Sequence, residues 1–341
     1  MTQWPTVTFG LLSWNRLHYL KATLESAREC IQYPNLEWIV SDNQSTEPGL
    51  RDYLDSQDWI DSCIYKQQTH AEAMNQLVEM ASGKYLFIWP EDVQFVVEGD
   101  WLLDIVEILE NNQDIGSVGL NGIRQCTLRD FFCSGWKSQV RRGIQDLCRF
   151  KKIRRPRTMT SSRGFSMRSL GGATPGICGS GIPTITRTSI WKTLGGWKFS
   201  AQGASLIDSS LGAEDYMVDR FNKSGMPLQM AILDKPVAAD IITDPTGCKA
   251  KVRGDYRFGV YMPPPVSPYY YEIRKLSDLD SCKDGMPLSF FDVVNPIGFT
   301  VPRDEHGDHL KSALNTSVVF DIKNHTPVSY PMQDSNVMDR L

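Results

Sequence analysis

Strand-like and helix-like patterns alternate through the first 120 residues of this 341-residue chain, with a helix following each strand in that stretch. Thr6 to Leu12 is an apolar, β-branched run suited to a buried parallel strand. Leu17, Leu20, Leu24, Ala27 and Ile31 then recur at helical spacing, and Pro34-Asn35 ends that helix. Leu36 to Val40 is a second short strand that runs into the polar segment 41–47. The pattern predicts helices over 49–56, 71–81 and 101–109, and strands over 63–66, 84–89 and 116–120. Five such alternations imply a doubly wound α/β sheet that is mainly parallel, with helices on its faces. Right-handed crossovers put the C-terminal ends of the strands on one edge, where ligands bind in such sheets. Asp42 and the run Pro90-Glu91-Asp92 both fall at such ends.

Composition narrows the classes of function. An apolar content of 41% and a charged content of 22% are those of a globular protein. The formal net charge of -4 argues against a nucleic-acid binder. No run approaches the ~18 apolar residues of a transmembrane helix. The N-terminus has no basic region followed by an apolar run, so no signal peptide is expected. The eight cysteines are scattered without a C-x-x-C pair, and the expectation is of reduced thiols in a cytoplasmic protein.

The second half is less regular. Residues 137–168 hold eleven Lys or Arg and one acid, Asp146. Gly171 to Gly181 is rich in small residues, as a mobile loop would be. A strand is predicted at 182–188, a short helix at 189–194 and another helix at 213–224. Three regions follow: 1–120, 121–240 with a basic flexible loop at 137–181, and a C-terminal extension at 241–341 that packs on the core. The basic segment is read either as a solvated face or as a loop that meets an anionic partner. That partner would be the phosphates of a ligand, an acidic glycan or a phospholipid surface.

Several segments share their order and spacing with a known family. Val7 to Arg16 (VTFGLLSWNR) resembles the opening strand of the family 2 glycosyltransferases. Trp38 to Glu47 (WIVSDNQSTE) is similar to the segment in which an aspartate precedes a polar turn. Ala73 to Val93 (AMNQLVEMASGKYLFIWPEDV) looks like the helix, turn and strand that lead to the family's acidic motif. GGWKF at 195–199 and GAEDYMVDRF at 212–221 resemble its acceptor-side segments. The resemblance covers roughly residues 5–235 and implies the GT-A fold, a Rossmann-like arrangement that binds nucleotide sugars.

It also implies roles. Leu12, Ser13, Asn15, Asp42 and Glu91 would bind the donor, with Asp42 accepting a hydrogen bond from a base N–H such as uracil offers. The local alternative for Asp42 is a turn aspartate bonded to its own backbone. Asp92 would hold Mn2+ or Mg2+ against the leaving diphosphate, with Glu91 as a supporting ligand. Pro90 stands where the family's metal motif has another acid; Met74 stands where the family often has arginine, so His70 or the basic loop is expected to rebuild part of the diphosphate contacts. Asp240 or Asp244 would supply a third metal ligand. Asp215 would be the general base and Glu214 would orient the acceptor; the alternative for this pair is a helix cap. Trp197 would stack on a sugar, or else lie in the core. The activity implied is metal-dependent, inverting transfer of a hexose from a nucleotide sugar, UDP-linked, to a glycan or glycosylated acceptor, with contact to a membrane or lipid-linked acceptor through 137–168. Two other readings stand beside it. One is a non-catalytic nucleotide-sugar or glycan-binding module, and the other is a sugar-nucleotide pyrophosphorylase, which would want a Gly-rich phosphate loop after the first strand.

Overall fold

The computed structural model describes residues 4–120, 156–170, 177, 183–198, 209–234 and 237–240, with short stretches at 255–257, 260–262, 271–278, 295–296, 318–321 and 326–329. In chain order the elements are β1 (Val7–Ser13), α1 (Leu17–Cys30), β2 (Leu36–Asp42), α2 (Leu50–Asp55), β3 (Ser62–Tyr65), α3 (His70–Met80), β4 (Tyr85–Pro90), β5 (Val93–Phe95), β6 (Val97–Glu98), α4 (Trp101–Asn111), β7 (Ile115–Gly119), β8 (Thr158–Thr160), β9 (Ser166–Ser169), β10 (Thr184–Arg187), α5 (Thr188–Leu194), α6 (Ser209–Ser224), β11 (Gln229–Leu233) and β12 (Ala238–Asp240).

Nine of these strands form one sheet in the order β3-β2-β1-β4-β10-β7-β11-β9-β8. β3, β2, β1 and β4 are parallel neighbours, and β10 is inserted antiparallel between β4 and β7. The predicted mixed, mainly parallel α/β fold is therefore the observed one. β5 lies outside this sheet and pairs antiparallel with β12, placing Asp240 opposite Val93.

The pleat of β4 sorts the core. Leu86 and Ile88 belong to a cluster with Met74 and Leu77 of α3, Ile190 and Trp191 of α5, and Met217 and Phe221 of α6. Phe87 and Trp89 meet Phe9 and Phe95, and Phe95 stacks on Trp101 of α4. Continuous burial, with successive side chains on opposite faces, is what a strand covered on both sides requires. α3 approaches β1 closely enough that a Cβ at Gly10 would lie 3.0 Å from the Phe87 carbonyl oxygen and 3.2 Å from the Leu77 side chain. That close approach keeps the first strand level with the helix behind it. α3 itself begins in a capping box, in which Thr69 and Glu72 satisfy each other's backbone N–H.

Residues 156–170 differ from the loop predicted there. They form β9 and the edge strand β8, joined by a turn, and arginines of this segment face acids of the same unit. Arg157 is 2.6 Å from Asp114, Arg163 is 2.8 Å from Asp104, and Arg168 is 4.0 Å from Asp234. Charge repulsion within the segment is thereby replaced by attraction across the sheet, which composition alone does not reveal. The rest of the basic segment, 137–155, lies outside the described residues, as do 171–181 apart from Ile177.

The chain divides into two compact units. The first comprises Met1–Asp240 and Ile273–Val293 and holds the large sheet. The second comprises Ile241–Glu272 and Val294–Leu341. Its described strands form antiparallel pairs, Asp255–Arg257 with Val260–Met262, Tyr271–Glu272 with Asn295–Pro296, and Val318–Asp321 with Thr326–Ser329.

Candidate active site

The C-terminal ends of β3, β2, β1 and β4 are in register, with Ser13 level with Asp42, Asp42 with Tyr65, and Leu12 with Pro90. The loops that leave these ends are tied to one another. Ser13 Oγ donates to Asp42 Oδ2 at 3.0 Å, and the Ser45 N–H and hydroxyl donate to the same carboxylate at 2.8 and 2.6 Å. The Asn15 N–H donates to Ser45 Oγ at 2.6 Å, and Asn15 Oδ1 accepts from the N–H groups of Thr46 and Glu47 at 2.8 and 2.9 Å. Glu47 Oε2 in turn accepts from the Leu17 N–H at 2.7 Å. Glu47 thus supplies the cap that Arg16, at the N-cap position of α1, does not. Burial pushes the Glu47 carboxyl above its ordinary pKa, partly offset by the backbone N–H groups of Leu17 and Arg16.

Three non-glycine residues among those described adopt positive φ, and all are in these two loops: Asn15 at 54°, Arg16 at 60° and Gln44 at 52°. Left-handed backbone costs such residues about 1–2 kcal/mol each. The strain is held by the hydrogen bonds above, and strained loops of this kind cluster at ligand sites.

Asp42 is 1% exposed and accepts three hydrogen bonds from its own neighbourhood. The turn aspartate that sequence offered as the alternative is thus present. A carboxylate has about four acceptor positions, so one more donor can still be served. Leu12, Ser13 and Asn15 are buried at the same edge and build its floor. Trp14 between them is 44% exposed. Sequence reasoning passed over it, although a tryptophan between two polar residues at a strand end is itself a signal of an outward-facing ring.

Glu91 and Asp92 follow β4 directly and are both buried. Thr23 Oγ1 donates to the Glu91 carbonyl at 2.6 Å, and Arg16 Nη2 lies 2.5 Å from Glu91 Oε1. Asp240 stands opposite Val93 in the β5–β12 ladder, one residue beyond the level of Asp92. Among the described residues no three His, Cys, Asp or Glu side chains converge as a metal cage. A carboxylate just past a strand end does fit the sparse protein ligation that Mg2+ or Mn2+ takes beside a nucleotide. Asp244 lies outside the described residues.

On the opposite face, α6 begins at Ser209, and its first turn holds no acid. Glu214 and Asp215 therefore lie past the first turn, and the helix-cap alternative for them falls away. Trp197 is 2% exposed and packs against Trp191 with ring centroids 4.6 Å apart. It is a core side chain with no open ring face, which corrects the expected sugar-stacking role. Its backbone is gripped by Asn75, whose Nδ2 donates to the Trp197 carbonyl at 2.9 Å and whose Oδ1 accepts the Trp197 N–H at 2.7 Å. Met74 is fully buried in the same cluster. His70 opens α3, and burial lowers its pKa.

No curated protein matches the chain. Among solved structures it is similar to S. aureus TarS residues 1–349 (15% identity, 69% of this chain and 60% of that one, TM-score 0.42). It is similar to the same fragment in complex with UDP (13%, 70% and 61%, TM-score 0.43). A third is the mannosyltransferase PcManGT from Pyrobaculum calidifontis in complex with GDP-Man and Mn2+ (19%, 62% and 54%, TM-score 0.37). The chain spans about 60% of the length of these TarS fragments. The family model described as glycosyl transferase family 2 matches residues 10–163, the stretch that builds β1 to β4 and every loop of the edge just described. Over that segment, a little under half of the chain, it is similar to glycosyl transferase family 2.

Proposed function

We propose that this chain transfers a sugar, with inversion, from a UDP-linked nucleotide sugar to a hydroxyl of a glycan or other acceptor. The observation that carries the reading is the level edge of β2, β1 and β4, where Asp42 ends β2 and Asp92 follows β4, on either side of β1 and inside the family-matched segment. Asp42 would accept the base N–H with its remaining lone pair, and the exposed Trp14 ring would stack on the base. Asp92 would hold Mn2+ or Mg2+, with Asp240, paired with Val93 in the β5–β12 ladder, or Asp244 as the candidate third ligand. The cation, when bound, neutralises charge on the departing diphosphate. Asp215 would take the proton from the attacking hydroxyl, and Glu214 would orient the acceptor.

Calorimetry with UDP, with and without MnCl2, tests the donor half. We expect binding that needs the metal in the wild type and is lost in Asp92→Asn with the melting temperature unchanged. UDP that binds Asp92→Asn with wild-type affinity and metal dependence rules out the metal assignment. A protein that binds UDP and Mn2+ but transfers or hydrolyses no UDP-sugar would be a binding module on this fold.

A further inference from the structure

The two oxygens of the Asp42 carboxylate are unequally occupied. Oδ2 accepts from the Ser13 hydroxyl at 3.0 Å and from the Ser45 hydroxyl at 2.6 Å. Oδ1 accepts from the Ser45 N–H at 2.8 Å. A carboxylate oxygen has about two acceptor positions, so Oδ2 is full and Oδ1 has one left. Backbone sets both serines. Ser13 stands level with Asp42 in the β1–β2 register. Ser45 follows Gln44, which is held at φ 52°, and its oxygen accepts the Asn15 N–H at 2.6 Å, which leaves its own proton for Asp42. Asp42 is buried, so protein groups rather than solvent decide which oxygen is open.

Bases differ in what they ask of a carboxylate. Uracil offers one ring N–H between two carbonyls. Guanine offers a ring N–H and an amine N–H side by side, which a carboxylate meets with one open position on each oxygen, as it meets a guanidinium fork. We propose that Ser13 and Ser45 make this edge a filter that admits a uracil-type base and turns guanine away. They are positioning residues and act through Asp42: with Oδ2 filled, the carboxylate takes one base N–H and not two. A guanine seated here keeps an amine N–H with no acceptor, and that mismatch supplies the discrimination. The inference rests on the reading of Asp42 as acceptor of the base N–H, and it adds which base is excluded and which residues exclude it.

The test is calorimetry on the full chain with UDP, N3-methyl-UDP and GDP, each with MnCl2 present. We expect the wild type to bind UDP more tightly than GDP by about 5- to 150-fold, the usual cost of a buried donor left unpaired. Ser13→Ala and Ser45→Ala each vacate a position on Oδ2, so each should raise affinity for GDP relative to UDP by about fivefold or more. Ser45→Thr keeps the hydroxyl and should keep the wild-type ratio. The ratio does not respond to a general loss of stability or of phosphate contacts, since the two ligands differ in the base. Either alanine variant suffices if the other fails to fold. A wild type that binds GDP as tightly as UDP, or a ratio unmoved by the alanine changes, overturns the proposal. The two failures are distinguishable, because N3-methyl-UDP lacks the base N–H. If it binds as tightly as UDP, or if no nucleotide binds, the reading of Asp42 itself fails. If it binds about tenfold or more weakly while the ratio stays put, only the serine filter fails.

Discussion

Trp14 and Asp215 are the residues whose replacement separates binding from chemistry most cleanly. Trp14 is 44% exposed, so Trp14→Ala removes a ring still more than half covered and should cost roughly 1–2 kcal/mol of stability. If its ring carries the base, the same change weakens UDP binding by about 1–3 kcal/mol, the usual worth of base–aromatic stacking. Calorimetry and thermal melting on one pair of samples measure both, and unaltered UDP affinity removes the ring from the site. Asp215→Asn keeps the side-chain shape within α6 but cannot take a proton. We expect a melting temperature and a UDP affinity near wild type, with transfer slower by roughly 100- to 10,000-fold. Full turnover of the variant passes the role of base to Glu214. At this scale the sequence was informative about which residues gather at the edge and poor at saying what each does there. Asp42 and Asp92 were placed by the strand pattern. That Asp42 accepts from Ser45 in its own turn and from Ser13 across the edge, and that Glu91 pairs with Arg16, depends on partners up to 75 positions away in the chain.

Between elements, the Asn75 grip on Trp197 joins α3 to the segment that follows α5. Gly196 sits beneath it at φ 82°, and a Cβ there would lie 2.6 Å from Asn75 Oδ1. Two penalties therefore fall on Gly196→Ala, a left-handed backbone of about 1–2 kcal/mol and a clash with the amide. Asn75→Ala removes two hydrogen bonds and should cost about 1–3 kcal/mol. Since it also removes the clash, the double variant should be more stable than the sum of the singles predicts, by a coupling of about 0.5–3 kcal/mol. Additive denaturation energies would mean that Asn75 and Gly196 do not meet. The sequence marked Gly195-Gly196 as a helix end, and Gly195 is the C-cap of α5. It gave no sign that an asparagine two helices earlier needed the second glycine.

Across the whole molecule, ion pairs knit the late edge strands to the early part of the chain, and they leave a signature in acid. Burial alone would raise the Asp114 carboxyl, but hydrogen bonds and charge from Arg157 outweigh it and hold the pKa below the ordinary carboxylate value. A carboxyl depressed on folding adds stability that is complete above its unfolded pKa, near about 4, and disappears as pH falls through the lower folded value. The pair is partly exposed, with side chains 43% and 36% accessible, so its worth is at most about 1 kcal/mol. Melting temperature followed from pH 6 to pH 2 should fall less steeply in Arg157→Met than in wild type below about pH 4. Identical slopes would show that the pair contributes nothing in solution. What the sequence determined by itself was the order of β1 to α4 and the edge at which the acids gather. Periods of two and 3.6 residues, and the turns that end them, are local properties that need no partner. Only the tertiary structure decided that β5 and β12, three residues each, are strands, that three arginines of a basic stretch face acids of the same unit, and that Trp197 is core. Each of those depends on which distant group arrives opposite, and a pattern of apolar positions carries no information about that.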